Sequence, residues 1–131
     1  MAMKRWTVAA VAGVAVCSVA SCGSKLPEAS SSTAERFYQA VQHQDGAAAC
    51  ALLAPETRDE VAADAPCAKA ILDEDLPTGG SVTALRQYGT EAQARMSGDT
   101  AFLAQFDDGW KIVAAGCTSK GELPYDCKVK G

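Results

Sequence analysis

A change of hydrophobic period near residue 80 constrains the fold of this chain more than any other feature of its sequence. Across residues 33–76, apolar side chains recur at the spacing of one face of an α-helix. Across residues 82–114, they alternate with polar side chains, as in a half-buried strand. Helices followed by a run of strands are typical of an α+β domain. We therefore expect short N-terminal helices packed on one face of a C-terminal antiparallel sheet.

Four short helices are predicted before this change. Ser32 precedes Glu35 by three residues, the pattern of a capping box, so the first helix is expected to begin there. Asp45 and the glycine after it interrupt this helix, and the Asp45 side chain can cap the next one. Pro55 and Pro66 each suit the first turn of a further helix.

Turn signals divide the second half into four strands. They lie at residues 89–90, 97–99 and 107–109, and the last contains Asp-Gly, a favoured hairpin dipeptide. The sequence therefore predicts a four-stranded antiparallel meander. The tail after residue 116 has no clear period, and we expect a closed loop there, to which an edge strand at residues 125–129 can be added.

The first residues indicate an export signal. Lys4 and Arg5 supply a positive start, residues 6–24 carry no charge, and small residues crowd toward Cys22. This order predicts a signal peptide over residues 1–21. A retained transmembrane helix is the alternative, although the apolar run is short and alanine-rich for a segment that must span the bilayer.

The run Val19-Ala20-Ser21-Cys22 resembles the lipobox of bacterial lipoproteins, in which small side chains precede a cysteine that is acylated, for example with palmitate, before cleavage. Cys17 does not fit, because a valine stands where the lipobox needs a small residue. The resemblance implies a protein anchored through Cys22 on the extracytoplasmic face of the cell membrane. Residues 22–32 would be its serine-rich tether and residues 33–131 its domain. Ordinary secretion is the other alternative.

Four cysteines remain after the lipid site, and an even number in an oxidising compartment indicates two disulfides. Three pairings are possible. We favour the pairs that join sequence neighbours and close short loops, Cys50–Cys67 and Cys117–Cys127. A four-cysteine zinc site is the alternative, but zinc sites usually show closely spaced cysteine pairs, which this chain lacks.

The net charge of −4 argues against a nucleic-acid partner, because neutralising phosphates requires clustered Lys and Arg. It also argues against a polybasic contact with lipid. No cofactor and no metal-ligand set is indicated. The acidic run Asp73-Glu74-Asp75 could attract calcium, but no calcium-loop pattern is present and a solvated acidic face is the simpler interpretation.

Three segments together resemble the nuclear transport factor 2-like, or cystatin-like, α+β fold. They are AERFYQAV at 34–41, the alanine-rich helix that follows Asp-Gly, and DDGWKIV at 107–113. The tail is similar to that of small actinobacterial lipoproteins of unknown function, so the resemblance covers about residues 33–131. Relatives of this fold include ketosteroid isomerase and small dehydratases, which use a pocket between a curved sheet and its helices. No catalytic set of that kind can be matched here residue by residue.

Five residues are candidates for such a pocket: Tyr38, Arg86, Tyr88, Phe102 and Trp110. The alternative is an ordinary aromatic core between the first helix and the sheet, formed by Phe37, Tyr38, Phe102, Phe106 and Trp110. Arg86 would bind an anion if its strand face points inward, or extend its head group into water at a strand end. His43, the only histidine, is interpreted as a solvated helix-end residue.

The sequence thus predicts a non-enzymatic accessory or interaction module, anchored to the membrane and acting on an envelope or membrane protein. A carrier of a small apolar ligand is the second hypothesis. An isomerase-like or dehydratase-like enzyme is the third, and whether the chain is an enzyme stays open. That third hypothesis requires a buried carboxylate of raised pKa beside a donor such as Tyr38 or Tyr88.

Overall fold

Four helices precede a five-stranded antiparallel sheet in the computed structural model, which describes residue 13 and residues 27–131. The helices are α1 (Glu28–Gln42), α2 (Gly46–Ala51), α3 (Pro55–Val61) and α4 (Cys67–Asp73). The strands are β1 (Val82–Tyr88), β2 (Glu91–Met96), β3 (Thr100–Phe106), β4 (Gly109–Lys120) and β5 (Leu123–Lys130). They lie side by side in chain order, which confirms the α+β class. The predicted signal peptide and Cys22 lie outside the described residues.

Helix α1 begins at Glu28, four residues before the predicted capping box. Ser32 therefore lies inside the helix, and Pro27 occupies the N-cap without a side-chain hydrogen bond. Ser30 is fully buried, and its hydroxyl donates to Gln87 Oε1 of β1 at 3.2 Å. Serine has a weak intrinsic preference for helices, so tertiary contact with the sheet extends α1 into a segment that was expected to be tether.

The three later helices start close to their predicted positions. The Asp45 carboxylate accepts the Ala48 N–H at 3.1 Å, which confirms it as the cap of α2. Pro55 is the first residue of α3, as predicted, whereas Pro66 lies one residue ahead of α4 as its N-cap. A disulfide between Cys50 and Cys67 joins α2 to α4. None of the helices within the described residues is long and apolar enough to cross a membrane.

The prediction of four strands is wrong, because the tail forms a fifth. β4 continues to Lys120 and pairs with β5, and the Cys117–Cys127 disulfide links directly opposed residues of the two strands. Both predicted disulfides are therefore present. The optional edge strand at residues 125–129 lies within β5, but most of β5 is polar or exposed, so no apolar alternation marks its bounds.

The core lies between the helices and one face of the sheet, which we call the inner face. Its largest fully buried apolar side chains are Phe37, Tyr38, Leu53, Ile71, Leu103, Ile112 and Val129. On β2, the apolar residues of the alternating pattern face this core, since Ala92, Ala94 and Met96 are all buried.

Two aromatic residues of β3 do not belong to the predicted aromatic core. Ala101 and Leu103 are buried, whereas Phe102 is half-buried and Phe106 is exposed. The predicted aromatic core is therefore reduced to Phe37, Tyr38 and Trp110. Alternation alone defines two faces of a strand, but it does not say which face meets the helices.

Candidate functional site

The sheet face turned away from the helices, which we call the outer face, carries the candidate site. Glu91 of β2 lies opposite Ala104 of β3, and Gln93 lies opposite Phe102. Tyr88 of β1 lies opposite Glu91 and so belongs to the same face. Since side chains on one face of a sheet recur at every second residue, the register brings these side chains together.

The far end of the β4–β5 hairpin folds back over this outer face. The Tyr125 ring of β5 packs edge-on against Phe102, with ring centroids 5.1 Å apart, and its hydroxyl accepts a hydrogen bond from Gln93 Nε2 at 3.0 Å. In a flat sheet, β5 would lie about 14 Å from β2, three strand spacings away. The hairpin must therefore curl. Gly116, within β4, has a φ of +65°, a conformation that glycine adopts without strain.

A hollow of about 510 Å³ lies on the outer face beside this hairpin. Its lining residues are Tyr88, Glu91, Ala92, Gln93, Phe102, Leu103, Ala104 and Val113. The volume falls within the range of small-ligand pockets, and most of the lining is apolar. The polar groups at its rim are the Glu91 carboxylate, the Gln93 amide and the Tyr88 phenol. The hollow can therefore hold an apolar side chain or ring, and Glu91 can accept a hydrogen bond from an N–H or O–H group next to it.

The structure brings together two of the five predicted pocket residues, Tyr88 and Phe102. Arg86 lies opposite Gln93 on the edge strand β1, and its side chain is exposed to water. Tyr38 and Trp110 are buried among the inner-face residues instead, 1% and 8% exposed.

Sequence reasoning missed several residues around the hollow: Glu91, Gln93, Ala104, Val113 and Tyr125. Their proximity depends on strand register, and the pairing of β3 with β4 shifts between Phe102 and Leu103. The Asp-Gly turn signal located the hairpin but could not locate this shift.

A second polar cluster joins three distant segments within the core. The Tyr38 hydroxyl donates to Asp99 Oδ2 in the β2–β3 turn, and the Gly116 N–H donates to the same oxygen at 2.9 Å. Gly79 lies flat against the Tyr38 ring, where an added Cβ would be 2.4 Å from Cγ. Burial raises the pKa of the Tyr38 phenol far above its ordinary value, and the hydrogen bond to Asp99 raises it further. The cluster holds α1 to the far turn of the sheet.

Tyr38→Phe is expected to change how stability responds to alkaline pH. Because the pKa of Tyr38 is raised on folding, the folded chain keeps its proton while the unfolded chain loses it above about pH 10. This contribution to stability is complete below about pH 10 and is lost as pH rises, by about 1.4 kcal/mol per pH unit. Urea unfolding between about pH 8 and about pH 11 measures this effect: the free energy of unfolding should fall less steeply with pH in Tyr38→Phe than in the wild-type chain. If the free energy of unfolding fell equally with pH in both chains, the raised pKa of Tyr38 would be contradicted.

The remaining polar candidates form no further site. His43 is the exposed C-cap of α1, as predicted. Within the acidic run, Asp73 pairs with Lys69 at 2.6 Å on the surface of α4. Among the described residues, no group of three or more His, Cys, Asp or Glu side chains is placed to hold a metal ion.

Comparison with protein-family models, with curated proteins and with solved structures finds no match to this chain. The function of this protein must therefore be inferred from the chemistry and geometry of its own residues.

Proposed function

We propose that this protein is a membrane-anchored extracytoplasmic lipoprotein that acts as a non-enzymatic interaction module. The charge, length and small-residue ending of residues 1–21 support export, and the lipobox resemblance at Cys22 supports the anchor. The two disulfides are consistent with an oxidising compartment.

One observation carries the interaction hypothesis: the centre of the inner face is filled, whereas the outer face presents a mostly apolar hollow. Phe37, Leu103 and Ile112 occupy the space between helix and sheet, and each is at most 1% exposed. Across the sheet, Phe102 is half-buried and Tyr88 is 74% exposed beside a hollow of about 510 Å³. Apolar and aromatic surface of this kind is enriched at the centres of protein interfaces.

A small-ligand carrier is the second candidate, supported by the volume and apolar lining of the same hollow. The nuclear transport factor 2-like assignment also stays a proposal, supported by helices that pack on one face of an antiparallel sheet. In that case, the centre of the space that relatives use as a pocket is occupied here by side chains, and a hollow remains between α1 and the β3–β4 turn. The enzyme hypothesis has a carboxylate beside a donor, Asp99 and Tyr38, but the Tyr38 hydroxyl is buried and already bonded.

Photo-crosslinking in intact cells of a host that processes lipoproteins tests this proposal. A photo-reactive phenylalanine analogue at Phe102 probes the hollow, and the same analogue at Asp59, exposed on α3, is the control. We expect the analogue at position 102 to form a crosslink to another protein, and the analogue at position 59 to form none. In a Cys22→Ala background, the chain should leave the membrane fraction or remain an uncleaved precursor.

Three outcomes would overturn parts of the proposal. Equal or absent adducts at positions 102 and 59 would remove the docking face. Normal processing and membrane retention of Cys22→Ala would remove the lipid anchor. A small molecule that co-purifies with the wild-type chain in native mass spectrometry, and is lost in Ala104→Trp, would favour the carrier.

A further inference from the structure

The polypeptide leads into the domain at one end of the sheet, which we call the leading end. It consists of the N-terminus of α1, the β1–β2 turn and the β3–β4 turn. The Ser30 hydroxyl bonds to Gln87, next to the first turn, and Ala29 lines a surface hollow together with Asp108 and Gly109 of the second turn. Helix α1 runs from there to the opposite end, where Tyr38 reaches Asp99.

The early start of α1 shortens the tether. Pro27 is five positions after Cys22, so the chain between them can span at most about 18 Å even when fully extended. With a tether that ends at residue 32, the reach would have been about 36 Å. A lipid on Cys22 would therefore hold the leading end at the headgroup region, which is itself several ångströms thick.

Exposed aromatic side chains lie at this leading end. The exposed large hydrophobic residues among those described are Tyr88 (74%), Leu123 (67%) and Phe106 (38%). Tyr88 and Phe106 both face outward at the turns of the leading end, separated by β2 and thus by about 10 Å. A tyrosine ring is stabilised at the membrane–water interface, where its apolar ring and its hydroxyl both find suitable surroundings, and a phenylalanine ring there is stabilised by burial of its apolar surface.

The charges at the leading end favour a neutral lipid surface over an anionic one. Glu91 and Asp107 are exposed there, and the Lys111 ammonium lies 3.3 Å from the Asp108 carboxylate. A polybasic cluster, which anionic lipid requires, is missing from the residues described at this end. Contact with the bilayer would therefore come from the aromatic rings and should depend little on salt.

We propose that the leading end docks on the bilayer that holds the lipid anchor, with Tyr88 and Phe106 in the headgroup region of phosphatidylcholine-like lipid. This inference rests on the proposed lipid anchor. It orients the sheet upright on the membrane, so that the outer-face hollow opens sideways beside the bilayer. A partner that reaches the hollow would then be a membrane protein with a segment close to the surface.

The three tyrosines of the wild-type chain provide a test. The Tyr88 ring lies at the leading end, level with Glu91, whereas the Tyr38 hydroxyl bonds to Asp99, which lies beside Met96 at the other end of β2, about five residues or about 17 Å away. Tyr125 lies between them, against Gln93. Full-length lipoprotein labelled with 3-fluorotyrosine can be reconstituted in phosphatidylcholine vesicles that contain a headgroup spin label. The fluorine resonances are assigned with single Tyr→Phe variants.

We expect the Tyr88 signal to be lost by paramagnetic broadening, the Tyr125 signal to be weakened, and the Tyr38 signal to persist. Equal broadening of all three signals, or stronger loss at Tyr125 or Tyr38, would overturn the orientation. Flotation of the vesicles is measured on the same sample. A chain that floats without loss of the Tyr88 signal refutes the docking alone, whereas a chain that does not float refutes the lipid anchor.

Discussion

Phe37→Ala is expected to lower the free energy of unfolding by about 3–5 kcal/mol, the cost typical of deleting a fully buried aromatic side chain. Phe37 is 0% exposed and lies on the face of α1 that covers the sheet. Its ring packs edge-on against Tyr38 with centroids 5.2 Å apart, so the deletion also removes an aromatic contact. A domain of this size is stable by about 5–15 kcal/mol, so the loss would be a large part of the total.

Phe106→Ala is the matched control, because it is the same chemical change at an exposed residue of the outer face. Its expected cost is about 1 kcal/mol or less. Urea unfolding followed by circular dichroism measures both variants. If Phe37→Ala cost no more than Phe106→Ala, the packing of α1 on the inner face would be wrong.

The second large effect is expected from removing the Cys50–Cys67 disulfide. The double variant Cys50→Ala/Cys67→Ala should lose about 3 kcal/mol, because the bond closes a loop of 17 residues and restricts the unfolded chain. Alanine avoids placing a hydroxyl in the buried site of Cys50. Helix α4 buries only Ile71 in the core and packs mainly on α2. Its backbone amides should therefore lose protection first.

Cys117→Ala/Cys127→Ala is the control for that experiment. This disulfide joins two strands that already pair through the sheet, so its removal should leave the amides of α4 protected. Hydrogen exchange read by mass spectrometry distinguishes the two variants. Protection of α4 in both of them would show that helix packing, and not the disulfide, holds α4 in place.

Local features of the sequence were sufficient to predict several elements. Asp45 caps α2 and Pro55 opens α3 because each acts on backbone within one turn of itself. The disulfide pairs could be predicted because each joins near neighbours, 17 and 10 residues apart. The alternation through Ala92, Ala94 and Met96 reported the buried face of β2 correctly.

The features that the sequence did not predict share a physical cause: each depends on contacts between residues that are far apart in the chain. The start of α1 depends on Ser30 meeting Gln87, 57 residues away. The hydrogen bond between Tyr38 and Asp99 joins residues 61 positions apart. The turn signal around Asp99 predicted that the chain reverses there, but not this contact. The fifth strand forms because β4 offers it an edge, and its polar residues show no alternation that would fix its bounds or its pairing.

The sequence by itself determined the α+β class, the order of helices before strands and the disulfide pairing, because periodicity and short loops are local properties of a chain. Only the tertiary structure decided which face of β3 is buried, where helix α1 begins, and that Tyr88, Phe102 and Glu91 surround one hollow. These depend on strand register, on the curl at Gly116 and on the contact of α1 with β1. Each of them is set by the free energy of packing between segments that are far apart in the chain.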